Sequence, residues 1–149
     1  MLQESSLEAP RIITFLDTGV LIAAARGPQE SARRALEILQ DSRREFISSV
    51  FLELETLPKA MYFRRVNEVE FYRSFFINSQ QVPADELLVL SAQRLAAKYG
   101  LNGMDALHIA AAHALGADEF ITTEKPTKPM YRVSEFKVIY LADAALVSP

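Results

Sequence analysis

The chemistry of this sequence rests on four acidic residues, Asp17, Glu53, Asp105 and Glu124. The first and the last each follow a short apolar run directly. The second lies about one turn into a predicted helix, and the third begins another helix. In an open parallel sheet, ligands bind beyond the carboxyl ends of the strands. We therefore expect the fold to bring these four carboxylates together at one edge of a sheet, although they are far apart in sequence.

Four carboxylates at close range repel one another, and this repulsion raises their pKa values unless a cation is present. A hard divalent cation with oxygen ligands relieves the repulsion, and an all-oxygen ligand set favours Mg²⁺ or Mn²⁺ over softer metals. Such a cation lowers the pKa of a bound water, which can then attack a phosphodiester. The acidic residues therefore predict a site for metal-dependent phosphodiester hydrolysis.

Each acid also has a simpler interpretation. Asp17 is suited to cap the helix that follows it, and Asp105 to complement the dipole of its own helix. Glu124 lies in a polar loop, where side chains are commonly solvated. Glu53 and Glu55 point to different faces of one helix, and we choose Glu53 as the site residue because it lies in the first turn.

The elements that must position these acids alternate along the chain. Short apolar runs predict strands at 11–16, 45–49, 80–83, 119–123 and 136–141. Apolar residues at helical spacing predict helices at 20–26, 29–43, 50–65, 67–79, 84–99 and 104–115. Pro58 predicts a kink or a break in the third helix. The pattern predicts a single α/β domain with a mainly parallel sheet covered on both faces.

Composition narrows the class of protein further. The chain of 149 residues contains no cysteine, which excludes disulfides and thiolate metal sites and fits a cytoplasmic protein. Its polar N-terminus does not look like a signal peptide, and no apolar run is long enough to span a membrane. The net charge of −3 argues against non-specific coating of nucleic acid but permits a local basic patch. Such a patch is predicted at Lys125, Lys128 and Arg132, unless this loop is merely solvated.

Two other classes of protein share parts of this pattern. Asp17-Thr18-Gly19 matches the catalytic triplet of aspartic proteases. Those proteins are all-β, whereas most of this chain is predicted to be helical. Phospho-receiver domains also carry acids at strand ends and bind one Mg²⁺. They need an adjacent acidic pair after the first strand, and Asp17 has no acidic neighbour.

Three stretches of the sequence resemble the motifs of PIN domains. They are FLDTGVLIAA at 15–24, ISSVFLELE at 47–55 and GLNGMDALHIAAAHALGADEFITTE at 100–124. The resemblance extends over roughly residues 11–141, and the third motif, at the start of the third stretch, is its most specific part. It implies a PIN-like three-layer fold with about four or five mainly parallel strands between helices. The sequence departs from the family at Gly19, where asparagine is commoner, and at Glu124, where aspartate is commoner.

The resemblance also implies a function. PIN domains of this kind cut RNA with Mg²⁺ or Mn²⁺ held by three or four acids, which here fall on Asp17, Glu53, Asp105 and Glu124. Thr18 and Thr122 match hydroxyl residues that support the first and fourth acids. Many small bacterial members are VapC-type toxins that form homodimers and are inhibited by an antitoxin protein. We therefore expect a divalent-metal-dependent endoribonuclease, and the alternative is a PIN-fold binding module with weak or no catalysis.

Overall fold

The computed structural model describes residues 11–144 and shows a β-sheet flanked by helices. Its strands are β1 (Ile12–Leu16), β2 (Arg44–Ser48), β3 (Gln80–Gln81), β4 (Glu119–Thr122) and β5 (Lys137–Tyr140). Its α-helices are α1 (Thr18–Arg26), α2 (Gln29–Leu39), α3 (Val50–Tyr62), α4 (Val66–Ile77), α5 (Glu86–Tyr99) and α6 (Gly103–Ala114). Short 3₁₀ helices cover Pro129–Arg132 and Leu141–Asp143.

All strand pairs in the sheet are parallel, and the strand order is β3-β2-β1-β4-β5. Helices α1 and α2 connect β1 to β2, helices α3 and α4 connect β2 to β3, and helices α5 and α6 connect β3 to β4. Parallel neighbours need such crossovers because each strand must begin at the same end of the sheet. The predicted α/β fold is therefore confirmed.

The centre of the sheet is buried on both faces. Phe15 and Leu16 of β1 and Phe120 and Ile121 of β4 are all fully buried. Because successive side chains of a strand point to opposite faces, this pattern requires helices on both sides of the sheet. The rings of Phe15 and Phe120 stack with centroids 5.0 Å apart. These two strands form the rigid base on which the candidate site stands.

Side-chain caps define where the helices near that base begin. Asp17 caps α1, Ser49 caps α3, Asp85 caps α5 and Asn102 caps α6, each accepting a hydrogen bond from a backbone N–H of the first turn. A cap of this kind satisfies a donor that the helix itself leaves unpaired. Helix α1 consequently starts at residue 18, immediately after its capping aspartate.

Two predicted helix features differ from the structure. The predicted helix 29–43 ends at Leu39, because the chain turns around Asp41. Asp41 N donates to Ile38 O at 3.1 Å, and Arg44 N donates to Asp41 O at 3.1 Å. Pro58 does not end its helix, which is continuous from 50 to 62. Within residues 11–144, no helix is long and apolar enough to cross a membrane.

Candidate active site

The site forms where β1 and β4 end side by side. Asp17 N donates to Ile121 O at 2.9 Å, which continues the ladder between the two strands. Thr122 Oγ1 donates to Asp17 Oδ2 at 2.9 Å and accepts from Glu124 N at 3.0 Å. One buried hydroxyl therefore connects Asp17 to the loop that carries Glu124.

Asp17 is a buried carboxylate, only 8% exposed, although it lies at the edge of the sheet. Its Oδ1 accepts from Thr18 N at 2.8 Å as the cap of α1. Burial raises the pKa of Asp17, and the charge of Glu55 adds to the rise, while the electrostatic influence of His108 and the hydrogen bonds from Thr122 and Thr18 oppose it. The hydrogen bonds therefore compensate only partly for lost water, and a nearby cation would stabilise the ionised form.

Asp105 is a second acid whose pKa is raised by burial. It is half-buried in the first turn of α6, where its N–H donates to Asn102 Oδ1 at 2.9 Å. Burial raises the pKa of Asp105, and the charges of Asp17 and Glu124 raise it further, against the lowering effect of His108 and Asn102. The fold therefore brings Asp17 and Glu124 near enough to Asp105 to act on its carboxyl group, although the Glu124 side chain is exposed.

Glu55 faces the same region from α3. Its Oε1 accepts from Thr18 Oγ1 at 2.5 Å and lies 2.6 Å from His108 Nε2. The hydrogen bond from His108 lowers the pKa of Glu55, and the bond from Thr18 contributes in the same direction, while burial opposes it. His108 itself is buried, and its Nδ1 has no hydrogen-bond partner among the residues described. Glu55 therefore links α1 to α6 beside Asp17.

Glu53, the acid chosen from the sequence, makes a different contact. Its Oε2 accepts from Gln81 Nε2 at 2.7 Å, and the same nitrogen donates to Ser48 Oγ at 3.1 Å. Gln81 belongs to β3, which β2 separates from β1. The contacts therefore place Glu55, not Glu53, with Asp17, and Glu55 is the residue that reasoning from the sequence passed over.

The carboxylate oxygens of this site are the type of ligand that a hard divalent cation prefers. Within residues 11–144, no three acidic or histidine side chains converge as a complete set of metal ligands. Mg²⁺, however, usually keeps several waters and is held by one or two carboxylates. Asp17 and Asp105 form such a pair of oxygen donors, and the charge of Asp17 raises the pKa of Asp105. A divalent cation between them would remove that repulsion.

A loop with basic residues follows the site. Lys125 and Lys128 are exposed, and a turn between them is closed by Lys128 N donating to Lys125 O at 3.0 Å. Arg132, also exposed, donates from Nη1 to Tyr99 O at 3.1 Å and so ties the loop to the end of α5. Tyr131 Oη donates to Glu124 O at 2.6 Å. The loop is therefore anchored at Tyr131 and Arg132, while its two lysines face solvent.

The comparison with protein families decides the identity of this arrangement. The model of the PIN domain matches residues 14–128, which is most of the chain and includes every acid described above. The chain belongs to the PIN domain family. The resemblance seen in the sequence is therefore confirmed.

Solved structures show the same fold at low sequence identity. The chain is similar to VapBC2 from Rickettsia felis bound to a DNA fragment from its promoter, with a TM-score of 0.65 and 14% identity over 87% of this chain and 99% of that one. It is similar to a toxin–antitoxin complex from Klebsiella pneumoniae, with a TM-score of 0.65 and 20% identity over 86% and 97%. VapBC-1 from nontypeable Haemophilus influenzae gives a TM-score of 0.60 and 17% identity over 89% and 100%.

No curated protein matches the sequence in a direct comparison. The structural likeness therefore supports the fold of this PIN domain, and its activity must be argued from the site.

Proposed function

We propose that this PIN domain is a divalent-metal-dependent endoribonuclease. The observation that carries the proposal is the buried carboxylate of Asp17. Burial raises the pKa of Asp17, and the charge of Asp17 in turn raises the pKa of Asp105. Asp17 caps α1, and Asp105 lies in the first turn of α6. Helix N-termini favour negative charge, so both helices support ionised acids there and an approaching phosphate.

The residues take distinct roles in this proposal. Asp17 and Asp105 hold Mg²⁺ or Mn²⁺, and Glu124 contributes from the loop. Thr122 fixes the rotamer of Asp17 by donating to its Oδ2. Glu55, held by Thr18 and His108, adds negative charge beside Asp17. When bound, the cation supplies Lewis-acid stabilisation of the phosphodiester and a water of lowered pKa.

The substrate is proposed to be RNA, and it approaches along the loop after β4. Lys125 and Lys128 are exposed next to Glu124, where they can contact phosphates on either side of the scissile bond. Arg132 is also exposed, but its guanidinium already holds Tyr99 O. We therefore expect the two lysines to contribute more to RNA binding than the arginine.

Cleavage of a mixed RNA pool in Mn²⁺ tests this function. Asp17→Asn and Asp105→Asn should each abolish cleavage, because each removes a charged ligand while keeping the shape of the side chain. Circular dichroism and thermal unfolding should show that both variants are folded. Undiminished cleavage by both folded variants would overturn the mechanism.

A matched pair of variants tests which acid of α3 belongs to the site. Glu55→Gln should reduce cleavage strongly, because it removes the charge beside Asp17. Glu53→Gln, two residues away on the same helix, should reduce it little, because Gln81 and not Asp17 is the partner of Glu53. The reverse ranking would restore Glu53 as the site residue that the sequence indicated.

The alternative function is a nucleic-acid or protein-binding module with weak or no catalysis. The exposed position of Glu124 favours this alternative, because an outlying fourth acid weakens the metal site. A binding module should bind Mn²⁺ poorly and still bind RNA or a protein partner. A nuclease should bind Mn²⁺ and lose cleavage when the metal is chelated.

We further propose a protein partner of the antitoxin kind and a homodimer. The structures similar to this chain include VapBC proteins and a toxin–antitoxin complex, which supports such a partner. Helix α3, the turn after it and the start of α4 also expose large apolar side chains, including Leu54, Met61, Tyr62, Phe63 and Val66. Exposed apolar groups of this size favour association with another protein. Light scattering of the purified chain, with and without its co-expressed partner, tests both assemblies.

A further inference from the structure

A cavity of about 380 Å³ lies beside the acidic site and has no role in the function proposed so far. We call it the β5 cavity, and its lining includes Glu30, Ser31, Arg34, Thr123, Tyr140 and Leu141. It opens between the first turns of α2 and the carboxyl ends of β4 and β5. Its volume is at the low end of the range of small-molecule sites, about 300–1,000 Å³. That size suits one nucleoside and not a folded segment.

The β5 cavity adjoins the acidic site through Thr123. Thr123 lines the cavity and packs against Gly19 of α1, where an added Cβ would lie 2.1 Å from Thr123 Oγ1. The next residue is Glu124, whose carbonyl oxygen accepts from Tyr131 Oη at 2.6 Å. A strand of RNA with its phosphate at Asp17 can place a neighbouring residue in the cavity.

The charges of the lining argue against a phosphate as the occupant. Arg34 is the cation of the lining, and its guanidinium donates to the carbonyls of Leu141, Ala142 and Ala144 at 3.4, 3.2 and 2.5 Å. Its Nε and Nη2 donors are therefore engaged by the chain itself. Glu30 adds a carboxylate, which would repel a phosphate. The lining is better matched to a neutral ligand with polar edges.

The remaining groups match a nucleobase. Ser31, Thr123 and Tyr140 supply hydroxyls, and none of these hydroxyls makes a hydrogen bond within residues 11–144. Glu30 pairs with Arg33 at the surface, and an exposed pair of this kind is weak enough to yield an acceptor to a base amino group. Unpaired bases stack on aromatic side chains and hydrogen-bond through their edges. Tyr140 supplies the aromatic ring and the other residues supply the edge contacts.

We propose that the β5 cavity binds one unpaired base of the RNA next to the scissile phosphate, with Tyr140 as the stacking residue and the Ser31 and Thr123 hydroxyls at the base edge. The proposal rests on the proposed ribonuclease function. It makes the β5 cavity a determinant of which RNA sequences are cut, and it requires a single-stranded substrate.

The test measures both the affinity for RNA and the kinetics of cleavage. Fluorescence anisotropy with a labelled single-stranded oligoribonucleotide in EDTA reports binding without chemistry, and cleavage of the same oligonucleotide in Mn²⁺ reports KM and kcat. Tyr140→Leu should weaken binding and raise KM by about 5- to 150-fold, the loss expected for one stacked base, with kcat little changed. Tyr140→Phe keeps the ring and should retain most of the affinity. Leu87→Ala removes an exposed apolar side chain on α5, away from every proposed binding surface, and should change nothing.

A second variant keeps the proposal testable if Tyr140→Leu fails to fold. Ser31→Leu fills the cavity from a half-buried helix position and should weaken RNA binding in the same way. Normal cleavage with unchanged KM in both Ser31→Leu and a folded Tyr140→Leu would overturn the base site and leave the ribonuclease function intact. A wild-type protein that neither binds nor cleaves RNA would overturn both.

Discussion

A methyl group added at Gly19 would enter the space that Thr123 occupies. Gly19 is the second residue of α1, directly after Asp17 and Thr18. A Cβ built there lies 2.1 Å from Thr123 Oγ1, 3.3 Å from its Cβ and 3.4 Å from its Cγ2. Only the Thr123 rotamer that puts Hβ in the place of the hydroxyl avoids the shortest contact, and the added Cβ would still lie 3.3 Å from the Thr123 Cβ. Gly19→Ala must therefore change the rotamer of Thr123 or displace the start of the loop that carries Glu124.

Two opposing effects set the expected magnitude. Overpacking a tight contact costs about 1–3 kcal/mol. Replacing glycine by alanine in a helix gains up to about 1 kcal/mol, and less in the first turn. Overpacking is therefore the larger effect, and we expect Gly19→Ala to lower the free energy of unfolding by about 1–2 kcal/mol. Cleavage should fall as well, because the displaced segment lies between Thr122 and Glu124.

Urea denaturation of a double-mutant cycle tests this reasoning. Thr123→Ala removes the hydroxyl, so adding Gly19→Ala to it should cost much less than adding Gly19→Ala to the wild type. The two positions should therefore show a coupling energy of about 0.5–3 kcal/mol, as residues in contact do. Additive effects, or a Gly19→Ala variant as stable and active as the wild type, would refute the tight packing of α1 on the loop.

Two further predictions concern buried charges. Arg44 and Asp41 side chains are each only 2% exposed and form an ion pair, and Arg44 also pairs with Glu119 at the opposite end of the sheet from the site. Arg44→Met should lower the free energy of unfolding by about 3–5 kcal/mol, because it leaves buried carboxylates without their partner. Arg94 is exposed, so the control Arg94→Met should change the free energy of unfolding by less than about 0.5 kcal/mol. Equal effects of the two substitutions would refute the argument that burial makes the Arg44 ion pairs important. Asp17→Asn in EDTA should gain stability relative to the wild type as pH rises from 4 to 8. The pKa of Asp17 is higher in the folded state, so the wild type loses stability as the pH rises from the unfolded-state pKa to the folded-state pKa, whereas asparagine does not titrate. A difference in unfolding free energy between variant and wild type that stays constant with pH would contradict this reasoning.

The positions of strands and helices were predictable because local residues determine them. Apolar runs next to Asp17 and Glu124 mark β1 and β4, and the rule that acids at strand ends share one edge relates Asp17 to Glu124. The choice between Glu53 and Glu55 was not predictable in this way. It depends on the rotation of α3, which is set by the packing of its buried residues Leu52, Thr56 and Ala60 against the rest of the fold.

The burial of Arg44 was equally hidden in the sequence. It stands in an arginine doublet of the kind that is usually solvated, and one of its partners, Glu119, lies 75 residues away. The β5 cavity also combines residues from three separate regions of the chain. Such features arise only when the tertiary structure brings distant segments together.

Metal binding tests the central claim most directly. Calorimetric titration of Mn²⁺ into the wild type, Asp105→Asn and Glu53→Gln compares an acid of the proposed metal site with an acid whose partner is Gln81. We expect the wild type and Glu53→Gln to bind Mn²⁺ with similar affinity and Asp105→Asn to bind it much more weakly. Equal binding by all three proteins, or no binding by the folded wild type, would contradict a metal site at Asp17 and Asp105.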